Sequence, residues 1–188
     1  IDEGSGPVLL FLHGNPTWSF LYRNIVKELR TEFRCVALDY PGFGLSKAAP
    51  GYGFTPAEHA AIVEQFIREL DLTEIILMGQ DYGGSIGLGA AGRNPERFRG
   101  FILGNTFAWP PADDPMMERF SKIAGGPIGK FLIQTFNGFV NLAMPRAGGQ
   151  KKVSKEALKA YRGPFPTRKS RYPTYVFPRE LRGSHAFF

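Results

Sequence analysis

Short apolar runs alternate with longer amphipathic segments along the first two-thirds of the chain. Four apolar runs predict strands at 7–12, 33–38, 74–78 and 98–103. Three segments between them predict helices at 18–29, 55–70 and 83–94. The second helix has the clearest start, because Thr55 and Glu58 form a capping box around Pro56. This alternation predicts an α/β fold with a mostly parallel sheet covered by helices.

The pattern changes after Asn105. No strand pattern follows, and clusters of proline and glycine separate short amphipathic segments. These segments predict helices at 115–124, 128–143 and 154–161. We expect a helical cap at 106–180 that is inserted over a partial core formed by 1–105. Residues 181–188 would then begin the return to the core.

The composition agrees with a folded domain and excludes several classes of protein. Of the 188 residues, 43% are hydrophobic, which is too many for a disordered chain. The apolar runs are shorter than the ~20 residues that a transmembrane helix needs. The single cysteine, Cys35, cannot form an internal disulfide, which fits a reducing compartment. We therefore expect a cytoplasmic protein.

The net charge of +6 arises at one end of the chain. Residues 146–188 carry 11 Lys or Arg and 2 Asp or Glu, whereas the rest has a small acidic excess. Proline and glycine interrupt these basic residues, and no nucleic-acid-binding motif accompanies them. We interpret them as a solvated face, and we expect neither a nucleic acid nor a membrane as partner.

The candidate nucleophile is Asp81, in the segment GQDYGG at 79–84. This segment joins a predicted strand to a predicted helix, and it has the pattern G-x-nucleophile-x-G with Asp where serine hydrolases have Ser. Small residues flank such a turn because its backbone is strained and packs closely against the helix. A carboxylate there can attack carbon and form an ester. Capping of the following helix is the alternative role for Asp81.

A second loop, HGNP at 13–16, directly follows the first predicted strand. Such a loop can aim a backbone N–H at developing negative charge, together with the N–H of the residue after the nucleophile. This assigns the N–H groups of Asn15 and Tyr82 to an oxyanion hole. An ordinary strand-to-helix turn is the alternative for this loop. The two motifs together favour the oxyanion hole.

These motifs resemble those of the α/β-hydrolase superfamily, and within it those of the haloalkane dehalogenases. The resemblance covers nearly the whole chain. It is carried by HGNP at 13–16, DYPGFG at 39–44, GQDYGG at 79–84, NTFAWP at 105–110 and FPRE at 177–180. It implies an α/β-hydrolase core with a cap, in which a carboxylate displaces halide from carbon. A water molecule activated by histidine then hydrolyses the ester.

The resemblance also assigns roles to particular residues. It implies Asp81 as the nucleophile, with Asn15 and Tyr82 as donors to the halide and the oxyanion. We expect Phe107 and Trp109 to line the substrate pocket. The Asn of the HGNP loop favours a dehalogenase, because epoxide hydrolases usually have an aromatic residue at that position.

Two positions depart from the family pattern. Tyr82 stands where the family has Trp, and its phenol O–H can donate to a halide but reaches a different point. Asn105 stands where some dehalogenases have the carboxylate that orients the histidine, and an amide cannot supply that charge. This chain is expected to belong with the branches that place the acid after the next strand.

The three histidines of the chain do not match the family's catalytic histidine. We expect His13 to have a structural role in its turn and His59 to be solvated on a surface helix. His185 lacks the strand and loop that should precede the base. The base and the acid are therefore expected beyond Phe188, and the native N-terminus upstream of Ile1. Such a partial chain would hold only the four central strands and would not turn over alone.

Two other functions remain open. An epoxide hydrolase would use the same Asp nucleophile together with cap tyrosines, for which the candidates are Tyr161, Tyr172 and Tyr175. A truncated domain that only binds apolar ligands would also fit the 17 phenylalanines. The sequence implies no metal and no organic cofactor. The expected partners are a small apolar halogenated substrate and water, and the oligomeric state is left open.

Overall fold

The computed structural model describes residues 1–109, 114–146 and 152–183. A five-stranded sheet lies at its centre, in the order β1-β3-β2-β4-β5. The strands are β1 (Asp2–Glu3), β2 (Val8–Leu12), β3 (Arg34–Ala37), β4 (Ile75–Gln80) and β5 (Phe98–Gly104). Strands β2 to β5 pair in parallel, and β1 pairs with β3 antiparallel. The predicted mostly parallel α/β sheet is confirmed.

Strand β1 corrects the expectation that the chain holds only four central strands. It has two residues, and both are acidic and exposed, so no apolar run marks it in the sequence. It pairs with β3 through its backbone, and its side chains form ion pairs, Asp2 with Arg34 at 2.7 Å and Glu3 with Arg30 at 2.6 Å. Pairs this exposed contribute little to stability, about 0–1 kcal/mol each.

Three helices cover the sheet: α1 (Arg23–Leu29), α2 (Pro56–Glu69) and α3 (Tyr82–Arg93). The capping box at the start of α2 is present, because Thr55 and Glu58 bond to each other's backbone N–H. Helix α1 is shorter than predicted, since Ser19–Tyr22 forms a 3-10 turn ahead of it.

The core lies on both faces of the sheet because side chains of a strand alternate between its two sides. In β2, Leu10 and Leu12 pack with one large apolar cluster that also includes side chains of α2 and α3. Leu9 and Phe11 point to the opposite face, where they pack with Val26 of α1. All four strand residues are almost fully buried, which explains why this strand is apolar throughout.

The segment predicted as the cap, which keeps that name below, contains α4 (Pro115–Ala124), α5 (Pro127–Phe136) and α6 (Lys155–Arg162). The single helix predicted at 128–143 is wrong, because it is divided at residue 137. There Asn137 adopts the left-handed conformation with φ of 53°, and Gly138 follows it. Asn adopts this conformation more readily than most other residues. A π-helical segment, Phe139–Ala143, continues the chain.

A seventh helix, α7 (Tyr172–Gly183), has no counterpart among the predicted helices. Its prolines at 173 and 178 argue against a helix in the sequence, although Pro173 lies in the first turn, where proline is tolerated. Helix α7 packs on the core through Phe177, which is fully buried. The boundary predicted at 180 falls inside this helix, and residues 184–188 lie outside the described residues.

Candidate active site

The turn between β4 and α3 has the strained geometry of a nucleophile elbow. Asp81 has φ of 54° and ψ of −134°, a conformation that residues with a Cβ rarely adopt. Neighbouring glycines allow it, since a Cβ on Gly79 would lie 2.6 Å from Gly84 Cα and one on Gly83 would strike the Leu12 carbonyl oxygen. Thr106 Oγ1 donates to the Asp81 carbonyl at 2.6 Å and ties the elbow to the chain after β5.

The Asp81 carboxylate is held by two backbone N–H groups. Asn15 N donates to Asp81 Oδ1 at 2.9 Å, and Tyr82 N donates to the same oxygen at 2.8 Å. Gly14 lets the loop approach this closely, because a Cβ there would collide with the Asp81 side chain. The structure thus brings together the two N–H groups that the sequence assigns to an oxyanion hole.

Burial changes the acidity of this carboxyl group. Removal from water disfavours the charged form and raises the pKa of Asp81 above its ordinary value of 3.8. The hydrogen bonds from Asn15 and Tyr82 favour the charged form and act in the opposite direction. A poorly solvated carboxylate is a stronger nucleophile than one in water, so the environment suits attack on carbon.

A cavity of about 70 Å³ adjoins Asp81. Its lining comes from the elbow, the HGNP loop, the cap and α7, and consists of Asn15, Asp81, Tyr82, Phe107, Met117, Phe120, Phe139, Pro178 and Leu181. Phe107 therefore lies where a substrate-pocket residue is expected. Trp109, the other residue expected to line the pocket, is 70% exposed and lies outside this lining.

A larger groove of about 1090 Å³ lies between the loop 42–54 and the segment 164–173. Among its described lining residues there is no carboxylate, histidine or cysteine. This described lining has hydroxyl and amine side chains but neither a carboxylate nor a histidine to activate them, so the smaller cavity at Asp81 is the candidate active site.

The side chains of Asn15 and Tyr82 both reach α7. Asn15 Nδ2 donates to the Thr174 carbonyl at 3.0 Å, and the Tyr82 O–H donates to the Phe177 carbonyl at 2.7 Å. A phenol has one hydrogen to donate, and here the Phe177 carbonyl receives it. The Asn15 amide nitrogen has two hydrogens, so one remains for another acceptor.

The two described histidines are buried and do not touch Asp81. His13 has its expected structural role, since Nε2 accepts from Tyr40 N at 3.1 Å and Nδ1 faces the Gly14 carbonyl at 3.0 Å. Burial lowers the pKa of His13 to about 4, so it is neutral at pH 7 and bonded on both nitrogens. His185 lies outside the described residues.

The expectation that His59 is solvated is wrong, because its side chain is fully buried. It lies four residues before Val63 and eight before Ile67, a spacing that places all three on the inner face of α2. Its Nδ1 lies 2.9 Å from the Tyr52 hydroxyl, and burial lowers its pKa to about 3.

Sequence reasoning missed two sets of contacts at the site. Thr106 comes two residues after the end of β5, so its place at the carboxyl edge of the sheet, beside the elbow, was a usable signal. The carbonyls of Thr174 and Phe177 left no such signal, since every residue has a carbonyl and α7 itself was not predicted.

The chain resembles known proteins in sequence and in structure. Residues 7–180 match the family described as the alpha/beta hydrolase fold. Haloalkane dehalogenase 2 of Mycobacterium tuberculosis (strain CDC 1551 / Oshkosh) is 42% identical over 181 residues, which cover 96% of this chain and 63% of that protein. Cis-3-alkyl-4-alkyloxetan-2-one decarboxylase of Shewanella oneidensis is 33% identical, with coverage of 96% and 58%.

The solved structures give the same result. Haloalkane dehalogenase DatA from Agrobacterium tumefaciens C58 superposes with a TM-score of 0.86 at 32% identity, covering 99% of this chain and 67% of that one. The chain spans 63% of the length of the mycobacterial relative. In its described part, no helix is long and apolar enough to cross a membrane. The chain belongs to the α/β-hydrolase family, in which it is similar to the haloalkane dehalogenases.

Proposed function

We propose that this chain carries the nucleophilic half of a haloalkane dehalogenase, with Asp81 as the nucleophile. The observation that carries the proposal is the strained elbow, which holds a buried carboxylate against an apolar cavity. Both backbone donors bind Asp81 Oδ1, which orients Oδ2 for attack. A bond forms from Oδ2 to the substrate carbon, the carbon–halogen bond breaks, and the halide leaves with the bonding pair.

The same N–H groups would serve the second half of the reaction. Attack of water on the ester carbonyl carbon places negative charge on Oδ1, where Asn15 N–H and Tyr82 N–H stabilise it. Collapse of this intermediate releases an alcohol and restores the carboxylate, while a base takes the proton from water. His13 and His59 are engaged elsewhere. Neither of these two described histidines can serve as that base, and we propose that the ester on Asp81 accumulates.

The halide would leave on the side of Asn15. Its Nδ2 carries a second N–H beyond the one that Thr174 receives. Tyr82 contributes its backbone N–H and an aromatic wall, since its hydroxyl is bonded to Phe177. The substrate is accordingly a small haloalkane, which presents an apolar body to Phe107 and the cap phenylalanines.

The epoxide alternative has less support from the geometry. An epoxide hydrolase needs an acid that protonates the ring oxygen beside the nucleophile. Among the residues that the structure describes, no tyrosine of the cap lines the Asp81 cavity. Tyr175, for example, donates its hydroxyl to the Gly125 carbonyl.

Incubation with a bromoalkane, followed by intact-mass and peptide mass measurements, tests the proposal. We expect one alkyl group per chain, located on Asp81, together with one equivalent of bromide. Asp81→Asn should abolish the adduct and the bromide release. Asp71→Asn should retain them, because the Asp71 side chain is 85% exposed to water.

Continued bromide release beyond one equivalent would show turnover. A faster adduct with an epoxide, or binding without any adduct, would favour the other two functions.

The pH dependence of this single alkylation provides a further check. Only the carboxylate form attacks carbon, and burial raises the pKa of Asp81 above 3.8. The alkylation rate should therefore rise with pH and reach its plateau at a higher pH than an exposed aspartate would require. A rate that is already constant from pH 4 upward would contradict the raised pKa.

A further inference from the structure

Helix α7 contains a proline where a regular helix needs an N–H. In an α-helix, residue 178 would donate its N–H to the carbonyl of residue 174. Pro178 has no N–H, and its ring also crowds that carbonyl. Thr174 is fully buried, so water does not replace the lost donor.

A side chain from the active site supplies the missing donor. Asn15 Nδ2 bonds to the Thr174 carbonyl at 3.0 Å, although the two residues are 159 positions apart in sequence. Two later carbonyls of α7 also accept hydrogen bonds from outside the helix. Phe177 O accepts from the Tyr82 hydroxyl, and Pro178 O accepts from Ser121 Oγ at 2.6 Å.

This contact determines which way the Asn15 amide faces. With the amide turned over, Oδ1 would meet the Thr174 carbonyl, and two acceptors would repel each other. In the observed orientation Oδ1 is buried and has no hydrogen-bond partner among the described residues. An unsatisfied buried oxygen costs stability, so the orientation is maintained by the bond to Thr174 and not by satisfaction of Oδ1.

We propose that Pro178 is a positioning residue for the leaving group. By freeing the Thr174 carbonyl, it holds the Asn15 amide with Nδ2 towards α7 and leaves the second N–H for the halide in the Asp81 cavity, which Asn15 and Pro178 both line. This inference rests on the proposed function, because it assigns Asn15 to a halide. Its distinctive feature is that a proline acts on the site by the absence of its own N–H.

Bromide binding to the chain and to Pro178→Ala provides the test. Alanine restores the N–H at 178, which competes with Asn15 for the Thr174 carbonyl. We expect the dissociation constant for bromide to rise about tenfold, the effect of losing one oriented hydrogen bond to an anion. The melting temperature should stay constant or rise, because the helix gains a hydrogen bond. If Pro178 had a purely structural role, Pro178→Ala would weaken bromide binding and lower the melting temperature together.

Pro173→Ala is the matched control, since residue 173 lies in the first turn of the same helix, and it should leave bromide binding unchanged.

Amide NMR of the unmodified chain tests the inference without relying on a variant. One Nδ2 proton of Asn15 should be protected from exchange by Thr174, and bromide should shift the other. Loss of that protection in Pro178→Ala would support the inference. Equal and rapid exchange of both protons in the unmodified chain would overturn it.

If bromide shifts neither proton while Asp81 is still alkylated, the proposed function stands and this inference fails. If Asp81 is not alkylated, the proposed function fails, and the exchange data still decide whether Pro178 positions the amide.

Discussion

The two sides of the Asp81 cavity are built in different ways. On the elbow side, β4, α3 and the HGNP loop bring backbone against backbone, and glycines permit the approach. On the α7 side, side chains from distant elements bond to the carbonyls of Thr174 and Phe177. The elbow side thus depends on local sequence, whereas the α7 side depends on tertiary packing.

Phe177 is the centre of the α7 side. Its ring lies 4.3 Å from that of Tyr82, 5.3 Å from His59 and 5.4 Å from Phe43, measured between centroids. The ring is fully buried, so it joins α7 to α2 and to the elbow within one apolar cluster. If the two sides differ in this way, removing a buried side chain from α7 should destabilise the fold, and adding a Cβ to a glycine of the elbow should also destabilise it.

The largest expected effect is that of Phe177→Ala. Deleting a buried phenyl ring removes its transfer free energy and leaves a cavity, which costs about 3–5 kcal/mol. Urea unfolding measures the loss. Phe131→Ala is the control in the cap, because that ring is 51% exposed, and it should cost less than half as much. Equal losses for the two variants would show that α7 is not anchored through Phe177.

Gly83→Ala should have the next largest effect. Its Cβ would strike the Leu12 carbonyl oxygen, so either β2 or the start of α3 must move. We expect a loss of about 3 kcal/mol, at the upper end of the range for overpacking. Gly92→Ala changes the same helix where a Cβ meets nothing within 4 Å, and it should stabilise by about 0.5–1 kcal/mol. Similar effects from both changes would mean that the elbow is not held by close backbone approach.

The same contrast explains what could be predicted from the sequence. The elbow and its oxyanion pair were predicted because the chemistry needs small residues at fixed positions around Asp81. Helix α7 was not, since two prolines obscure its pattern and its stability comes from packing of Phe177. His59 was misplaced for a different reason, because its helical spacing with Val63 and Ile67 already indicated the inner face of α2 and was not applied to it. Local sequence patterns therefore predict the elbow side well, whereas the α7 side depends on contacts between distant residues.

Tyr82→Phe removes the hydrogen bond that joins the two sides. The ring would keep its contact with Phe177, but the Phe177 carbonyl would lose a donor in a buried position. We expect a loss of about 1–2 kcal/mol in urea unfolding. Alkylation of Asp81 should continue at a rate within about twofold, because the Tyr82 backbone N–H is unchanged. If Tyr82→Phe abolished the alkylation of Asp81, the Tyr82 hydroxyl would have a direct role at the leaving group.

The smallest expected effect is on the pH dependence of stability. Burial lowers the pKa of His59 to about 3, against an ordinary value of 6.5. Between these values the unfolded chain binds a proton that the folded chain does not, so stability falls as pH drops below about 6.5. His59→Phe removes this contribution, and the loss of stability between pH 7 and pH 5.5 should shrink by about 1 kcal/mol.

Tyr52→Phe is the matched control, because it removes the hydroxyl that faces His59 Nδ1 but keeps the titrating group. It should lower stability at all pH values and leave the pH dependence intact. His13, whose pKa burial lowers to about 4, would contribute to the dependence that remains in His59→Phe. His13 belongs to the elbow side, whereas His59 stacks on Phe177 at 17° between ring planes. An unchanged pH dependence in His59→Phe would therefore show that His59 beneath α7 makes no contribution to the acid sensitivity and that water reaches it.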